Sequence, residues 1–468
     1  MGVEGVLLLL PAFVGLLYGE KSGACFLFPA TILALIYIIF GIRKPNKTKI
    51  YAKEGMIIVA SAWILWSMFG AIPFTLGGYI PNYLDAFFET VSGFTTTGST
   101  ILNDIESLSH CMHFWRCFTH WIGGMGVLVF VLVLTSLDKK NTMYLMRAEV
   151  PGPEKDKLVP KAMATARILY EMYFALTAVE IVLLIFGGMS PFDSIIHAFS
   201  TAGTGGFSNY ADSVGHFDSA YIDGVITVFM ILFGINFNLF YLLLLRQFKP
   251  VWKNEELRTY LAIIATAIAL ITWNITSIYG NPLKAFRYAA FQVASIITTT
   301  GFSTADYMKW PTMSQTIIII LMIIGACASS TGGGIKVSRF LIVVKSIKKE
   351  LKQMVHPKSV NLIRINGKKM NPDIVQNVFV YLVAYAGIAG LSVLLVSIDD
   401  FDFATNFGSV MGTLNNIGPG LGVSGPAGNF AQFSPFSKLV FCMDMLIGRL
   451  EIFPFLMLFT SISWRKKF

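Results

Sequence analysis

Two lengths of apolar run alternate along this chain. Runs of membrane-crossing length cover residues 3–19, 24–42, 55–77, 113–136, 164–189, 221–247, 259–279, 312–326, 374–398 and 436–461, against the ~20 apolar residues that a bilayer-spanning helix needs. Shorter runs at 83–94, 192–202, 284–297 and 401–414 cannot cross and suit a helix that enters the membrane and turns back. Each short run ends in small, hydroxylated or amide residues around a glycine: SGFTTTGST at 92–100, STAGTGGFS at 200–208, SIITTTGFS at 295–303 and GTLNNIGPG at 412–420. Aligned on Gly98, Gly206, Gly301 and Gly418, the residue six places earlier is Ser92, Ser200, Ser295 and Gly412. Four copies in register make one repeated structural unit. The pattern predicts an all-α membrane protein: two N-terminal transmembrane helices (1–50), then four helix–pore-loop–helix repeats at 51–150, 151–256, 257–370 and 371–468 around a pseudo-fourfold pore.

The chemistry of the repeated unit points to cations. Non-helical backbone at membrane depth is tolerated where protein buries it or water reaches it, and free backbone carbonyls can replace a cation's hydration shell. A helix that stops halfway also aims the negative end of its dipole at whatever lies beyond its C-terminus. The expected ligands are Thr96, Thr97 and Gly98, then Thr204, Gly205 and Gly206, then Thr299, Thr300 and Gly301, then Asn415, Asn416, Ile417 and Gly418. Glycine lets the backbone adopt angles that aim a carbonyl at the axis, where a serine Cβ would crowd it.

Composition fits a membrane setting. Hydrophobic residues make up 54% and charged residues 13%, where a soluble domain carries about 25% charged; mean hydropathy is +0.64. Lipids are therefore expected around most of the chain. Of the 36 Lys and Arg residues, 29 fall in alternate loops at 43–53, 139–167, 246–258, 336–369 and 465–467, which the positive-inside rule makes cytoplasmic together with both termini. Acidic residues such as Asp85, Asp193, Asp306 and Asp402 crowd the other side, beside the short runs, where they would concentrate cations. The +9 net charge thus reads as orientation, with no nucleic-acid partner. The five cysteines suggest apolar burial and no disulfide framework, and the N-terminus lacks the basic region of a secretory signal.

TTTGST at 95–100, HAFSTAGTGGFSNY at 197–210, ITTTGFSTADY at 297–307 and NNIGPGLG at 415–422 resemble the four filters of the Trk/Ktr/HKT potassium-transporter superfamily. FWRCFTHWIGGMGV at 114–127, MRAEVPGPEKDKLVPK at 146–161 and the two extra N-terminal spans narrow the resemblance to its bacterial TrkH-type branch. The resemblance implies potassium uptake across the bacterial inner membrane, with potassium as the permeating ligand and no covalent cofactor. It also implies a homodimer gated by a cytosolic, nucleotide-binding TrkA-type ring. Four filter glycines argue for potassium, since members with serine at the first position admit sodium. Coupled symport with protons or sodium stands beside gated conduction as an alternative.

The last span of the third repeat cannot run through. Residues 325–334 read Gly325, Ala326, Cys327, Ala328, Ser329, Ser330, Thr331, Gly332, Gly333, Gly334, and three successive glycines cost a helix interior about 3 kcal/mol relative to alanine. The resemblance makes this stretch an intramembrane gating loop below the filter, followed by a basic amphipathic helix at 336–354 that suits a cytosolic partner. Lys336 is counted with this loop and Arg449 among the gating residues, while Lys336 and Arg339, just past the loop, also read as side chains that can reach the cytoplasmic surface rather than act on ions. Arg449, deep in the last span, is a functional candidate because an intramembrane charge must be paired or line water; Asp444 and Glu451 are its local candidate partners. By resemblance it meets the gating loop and repels cations in the closed state. One further constellation, His110, Cys111, His113, Cys117 and His120, would place three of its members, His113, Cys117 and His120, on one helix face as metal ligands can stand and admits a membrane metalloenzyme as an alternative. No catalytic metal, nucleotide-binding or nucleophile motif accompanies it, and the chain is not read as an enzyme.

Overall fold

A computed structural model describes residues 1–41, 52–126, 162–359 and 361–459. Four helices of identical length recur in it: Ala52–Leu76, Ala162–Phe186, Glu255–Tyr279 and Pro372–Val396, 25 residues each. At 1.5 Å per residue each runs about 37 Å, enough to cross a bilayer. Each is followed by a short helix, Tyr83–Phe94, Pro191–Gly203, Pro282–Ile297 and Phe403–Leu414, of 12 to 16 residues. These four start alike. Asn82, Ser190, Asn281 and Asp402 each accept a hydrogen bond from a first-turn backbone N–H, which satisfies an otherwise orphaned donor and fixes where the helix begins.

Among the described residues, the second long helix expected in the first, second and fourth repeats breaks early, while that of the third ends where its glycines predict. Where 113–136, 221–247 and 436–461 read as continuous spans, the helices are His110–Gly124, Ala220–Phe233 and Pro435–Arg449, and the run 312–326 is the helix Thr312–Ile324, each of 13 to 15 residues. Five helices among the described residues are long and apolar enough to cross a membrane, or six if one bent pair counts as a span; the sequence reading had ten. That pair, Ala220–Phe233 and Phe237–Leu244, turns by 93° across Gly234, with Asn236 capping the second piece. Hydropathy continues across each break, so it hides them. Glycine marks them: Gly126 and Gly325 take φ of +83° and +71°, and a Cβ on Gly123 or Gly448 would collide with the carbonyl of Phe94 or Leu414 at the ends of short helices. Residues 127–136 and 460–461 lie outside the described residues.

The N-terminal helices Gly2–Leu7 and Leu9–Leu17, with the apolar segment Lys21–Gly41, pack against the first repeat. One buried cluster unites them with the first and fourth repeats, through residues such as Leu33, Trp63, Trp115, Val410 and Phe441, and a second organises the third repeat around Tyr260, Ile271 and Val293. The basic helix is present as Val337–Val355. A two-stranded hairpin follows, pairing Arg364–Ile365 with Lys368–Lys369 across Asn366 and Gly367, both at positive φ, as an Asn-Gly turn favours.

Candidate functional site

The four segments beyond the short helices share one backbone. Thr96, Thr204, Thr299 and Asn416 sit at φ of 54° to 59°, and Gly98, Gly206, Gly301 and Gly418 at 78° to 97°. A β-branched residue at positive φ costs on the order of 1–3 kcal/mol and persists only where its surroundings dictate it. Those surroundings repeat as well. The backbone N–H before each glycine donates to the carbonyl of the aligned residue six places upstream: Thr97 to Ser92 at 2.9 Å, and Gly205 to Ser200, Thr300 to Ser295 and Ile417 to Gly412 at 2.8 Å. The register seen in the sequence is therefore a register of hydrogen bonds.

The segments meet in a closed cycle. A Cβ on Gly98 would overlap the carbonyl oxygen of Gly205, one on Gly206 that of Thr300, and one on Gly301 that of Ile417; one on Gly418 would stand 2.7 Å from that of Thr97. Each glycine thus lies against the residue preceding the glycine of the next repeat, and the fourth returns to the first. Ser99 Oγ donates to Gly418 O at 3.1 Å and Asn416 Nδ2 to Thr97 Oγ1 at 2.9 Å across that last seam. All four glycines line one cavity of about 80 Å³. In the first and third copies the flanking threonines pair identically, Thr95 with Thr97 at 2.8 Å and Thr298 with Thr300 at 2.7 Å.

The stretch 325–336 lies against one side of this ring. The Gly333 N–H donates to Thr299 Oγ1 at 2.6 Å, and a Cβ on Gly332 or Gly333 would meet the carbonyls of Thr298 or Asn415. On its other side the stretch bonds to the broken helix of the second repeat: Cys327 N–H to Gly234 O at 3.1 Å and Phe237 N–H to Ser329 O at 3.1 Å. Ala328 N–H donates to Glu256 Oε1 at 2.7 Å, and Ser330 Oγ to Cys327 O at 2.6 Å. The guanidinium of Arg449 donates to Thr331 O at 2.7 Å, to Gly124 O at 2.8 Å and to Gly123 O. One side chain of the fourth repeat thereby joins the loop of the third to the end of the half-helix of the first. Of the acids near it in sequence, Glu451 takes a hydrogen bond from Arg339, and Asp444 one from Ser392 at 2.7 Å.

Lys336 and Arg339 do not reach a surface. They are 1% and 4% exposed, because the chain that carries them turns inward at Gly325 before the basic helix begins. Lys336 Nζ donates to Gly332 O within the loop, and Arg339 stacks 3.9 Å from the ring centroid of Tyr381.

Of the His and Cys residues at 110–120, His120 and Cys117 support the ring, whereas His110 and Cys111 sit at the start of their helix. No group of three or more His, Cys, Asp or Glu among the described residues is placed to hold a metal. His120 stacks on Phe207 at 4.2 Å with its ring against Gly205, and Cys117 Sγ faces Phe207 O at 3.7 Å. His110 and Cys111 open their helix, and both backbone N–H groups donate to Glu20, at 2.8 and 3.1 Å. Burial works against ionisation of Glu20, but these N–H groups and the His110 ring outweigh it and hold the carboxyl below its usual range.

Sequence reasoning set Glu89 among the acidic residues beside the short runs and passed over Arg116; the structure buries both. Their side chains are 0% and 2% exposed and pair at 2.6 Å. Glu89 also accepts from Thr100 Oγ1 and Ile101 N–H at 3.0 Å; Arg116 donates to Ser208 O at 2.8 Å and lies 3.7 Å over the Phe207 ring. The pair ties the outer end of the first segment to that of the second. A charge in each of two apolar helices was the available signal.

Residues 30–466 match the TrkH family model, described as a cation transport protein. The chain is 38% identical over 467 residues to the Trk system potassium uptake protein TrkH of Salmonella typhimurium, covering 98% of this chain and 96% of that one. It is 33% identical over 469 residues to the Trk system potassium uptake protein TrkG of Escherichia coli, covering 97% and 94%. The crystal structure of the potassium transporter TrkH from Vibrio parahaemolyticus superposes with a TM-score of 0.89 at 33% identity, over 99% of this chain and 97% of that one.

Proposed function

This chain belongs to the TrkH family of cation transport proteins, and on that footing we propose that it takes up potassium across the bacterial cytoplasmic membrane through a selective, gated pore on the axis of the glycine ring. A dehydrated potassium ion is held by backbone carbonyls of the segments at Thr96–Gly98, Thr204–Gly206, Thr299–Gly301 and Asn415–Gly418, with four half-crossing helices directing their negative ends at it. The observation that carries this reading is the cycle of contacts closing from Gly418 back to Thr97, because a cation needs ligands on every side. The loop 325–334 and Arg449 form the closed gate: glycine backbone packs beneath the ring, and a guanidinium held by three carbonyls sets a positive charge on the inner path.

The functional unit is a homodimer with one pore per protomer, both termini cytoplasmic. A cytosolic TrkA-type ring docks on the basic helix Val337–Val355 and its hairpin, where Lys348 and Lys352 are exposed, and its nucleotide state moves the loop. The test is ion flux into proteoliposomes, potassium against sodium, with and without an imposed proton gradient. Potassium-selective flux that ignores the proton gradient is expected; equal flux of both ions would overturn the filter, and strict dependence on protons would replace conduction by symport.

A further inference from the structure

The early end of the helix Thr312–Ile324 leaves a groove beside its neighbour Glu255–Tyr279. The groove measures about 630 Å³. Ala262, Thr266 and Leu270 form one wall, Ile317, Ile320 and Ile324 the other, and Glu255 and Arg258 stand at one end. Its origin is the break itself: turns continuing past Ile324 would fill this space, but Gly325 at φ +71° sends the chain inward beneath the ring instead.

Depth and charge narrow what can occupy it. From Arg258 to Leu270 the helix rises about 18 Å, close to the ~15 Å depth of one leaflet of the hydrocarbon core. A packed helix of a second copy, about 10–12 Å wide, would need a broader seat running through both leaflets. At the mouth, Glu255 is engaged by Lys345 and by the Asn366 N–H. The Arg258 side chain is exposed and makes no hydrogen bond or ion pair among the described residues. Trp252, 73% exposed, stands just before the helix, where an indole marks the membrane interface. An apolar slot one leaflet deep with an uncommitted guanidinium at its rim matches an anionic amphiphile.

We propose that this groove is a binding site for an anionic phospholipid of the cytoplasmic leaflet, one acyl chain lying between the two helices and the phosphate at Arg258. The site is independent of the gating proposal, and its test reads lipid rather than flux. Full-length protein is reconstituted into nanodiscs of phosphatidylglycerol and phosphatidylcholine, extracted in mild detergent, and the retained lipid is counted by native mass spectrometry. The parent should favour phosphatidylglycerol at least tenfold. Arg258→Gln should abolish that preference, Arg258→Lys should keep most of it, and Thr266→Trp or Ala262→Phe should reduce retention of both lipids. Equal retention of the two lipids by the parent, or an unchanged preference in Arg258→Gln, would overturn the proposal. A groove-filling variant that changes oligomeric mass while leaving lipid retention intact would assign the groove to a second copy of the chain.

Discussion

The glycine ring and the layer beneath it follow opposite rules. In the ring, four stretches of different sequence, from Thr-Thr-Gly to Asn-Ile-Gly, converge on one set of backbone angles and one hydrogen bond each. Beneath it the four half-helices part ways. The second repeat bends by 93°, the third enters the glycine-rich loop, and the fourth stops at Arg449, followed by Glu451 and Ile452 at positive φ. On the proposed reading the ring coordinates an ion on its axis, which demands equivalent ligands, whereas the layer beneath coordinates nothing and leaves each half-helix free to differ.

That contrast can be broken most forcefully at the pair holding the first two segments. Arg116→Ala or Glu89→Ala should each cost about 3–5 kcal/mol, since either strands a buried charge. The double substitution by apolar residues of similar size should cost less than either single one, as read by equilibrium unfolding in detergent. A double variant as unstable as the sum of its parts would mean that the two residues act separately.

Within the ring, Gly301→Ser should reduce potassium preference over sodium about tenfold, or about 1.4 kcal/mol, because its Cβ would overlap Ile417 O. Gly418→Ser should do less, with 2.7 Å to Thr97 O. Relative permeability in proteoliposomes separates the two, and a parent-like ratio in both variants would reduce these glycines to turn formers. In the lower layer, Arg449→Ala or a shortened loop should raise basal potassium flux several-fold without altering that ratio. Combining them should add little, since neighbours acting on one constriction are not additive. Basal flux at or below the parent's in both would place the barrier elsewhere.

The smallest effect belongs to the rim. Glu20→Gln should lower stability by about 1 kcal/mol, because a carboxylate stabilises a helix N-terminus that an amide serves less well. The carboxyl is held below its usual range in the folded protein, so its contribution is complete above the unfolded value of about 4.3 and is lost as pH falls through the folded value. The penalty of the substitution should therefore shrink in acid; a constant penalty from pH 7 to pH 3 would remove the charge from the explanation.

Repetition decided what the sequence disclosed. Gly98, Gly206, Gly301 and Gly418 were legible because one local pattern occurs four times, and each first helix because 25 apolar-rich residues announce themselves. The half-helices were legible only in the third repeat, where three glycines in a row break the pattern; Gly234 and Gly448 are single glycines inside continuing apolar runs. The surface reading of Lys336 and Arg339 fails because a basic residue at a helix start ordinarily faces water, and only the inward turn at Gly325 buries them. Glu89 and Arg116, 27 residues apart, share no periodicity that could have paired them. The cyclic order of contacts is a property of the assembled molecule and has no local trace.

That cycle has a consequence for how the protein is made. The seam between its ends joins Gly418 to Ser99 and Asn416 to Thr97, each across 319 residues of chain. It is reinforced by Phe430 N–H on Thr100 O at 2.8 Å and by Lys438 on Asp85 at 2.7 Å. In each pair one partner, Gly418, Asn416, Phe430 or Lys438, is made long after the other. The first three segments must therefore reach the membrane as an open arc, their strained threonines without their final neighbours, and the arc becomes a circle only once the fourth segment is made. Contacts this distant form slowly because the intervening chain must first be ordered. A chain cut short before residue 415 leaves no partial ring of lower quality; it leaves no ring at all.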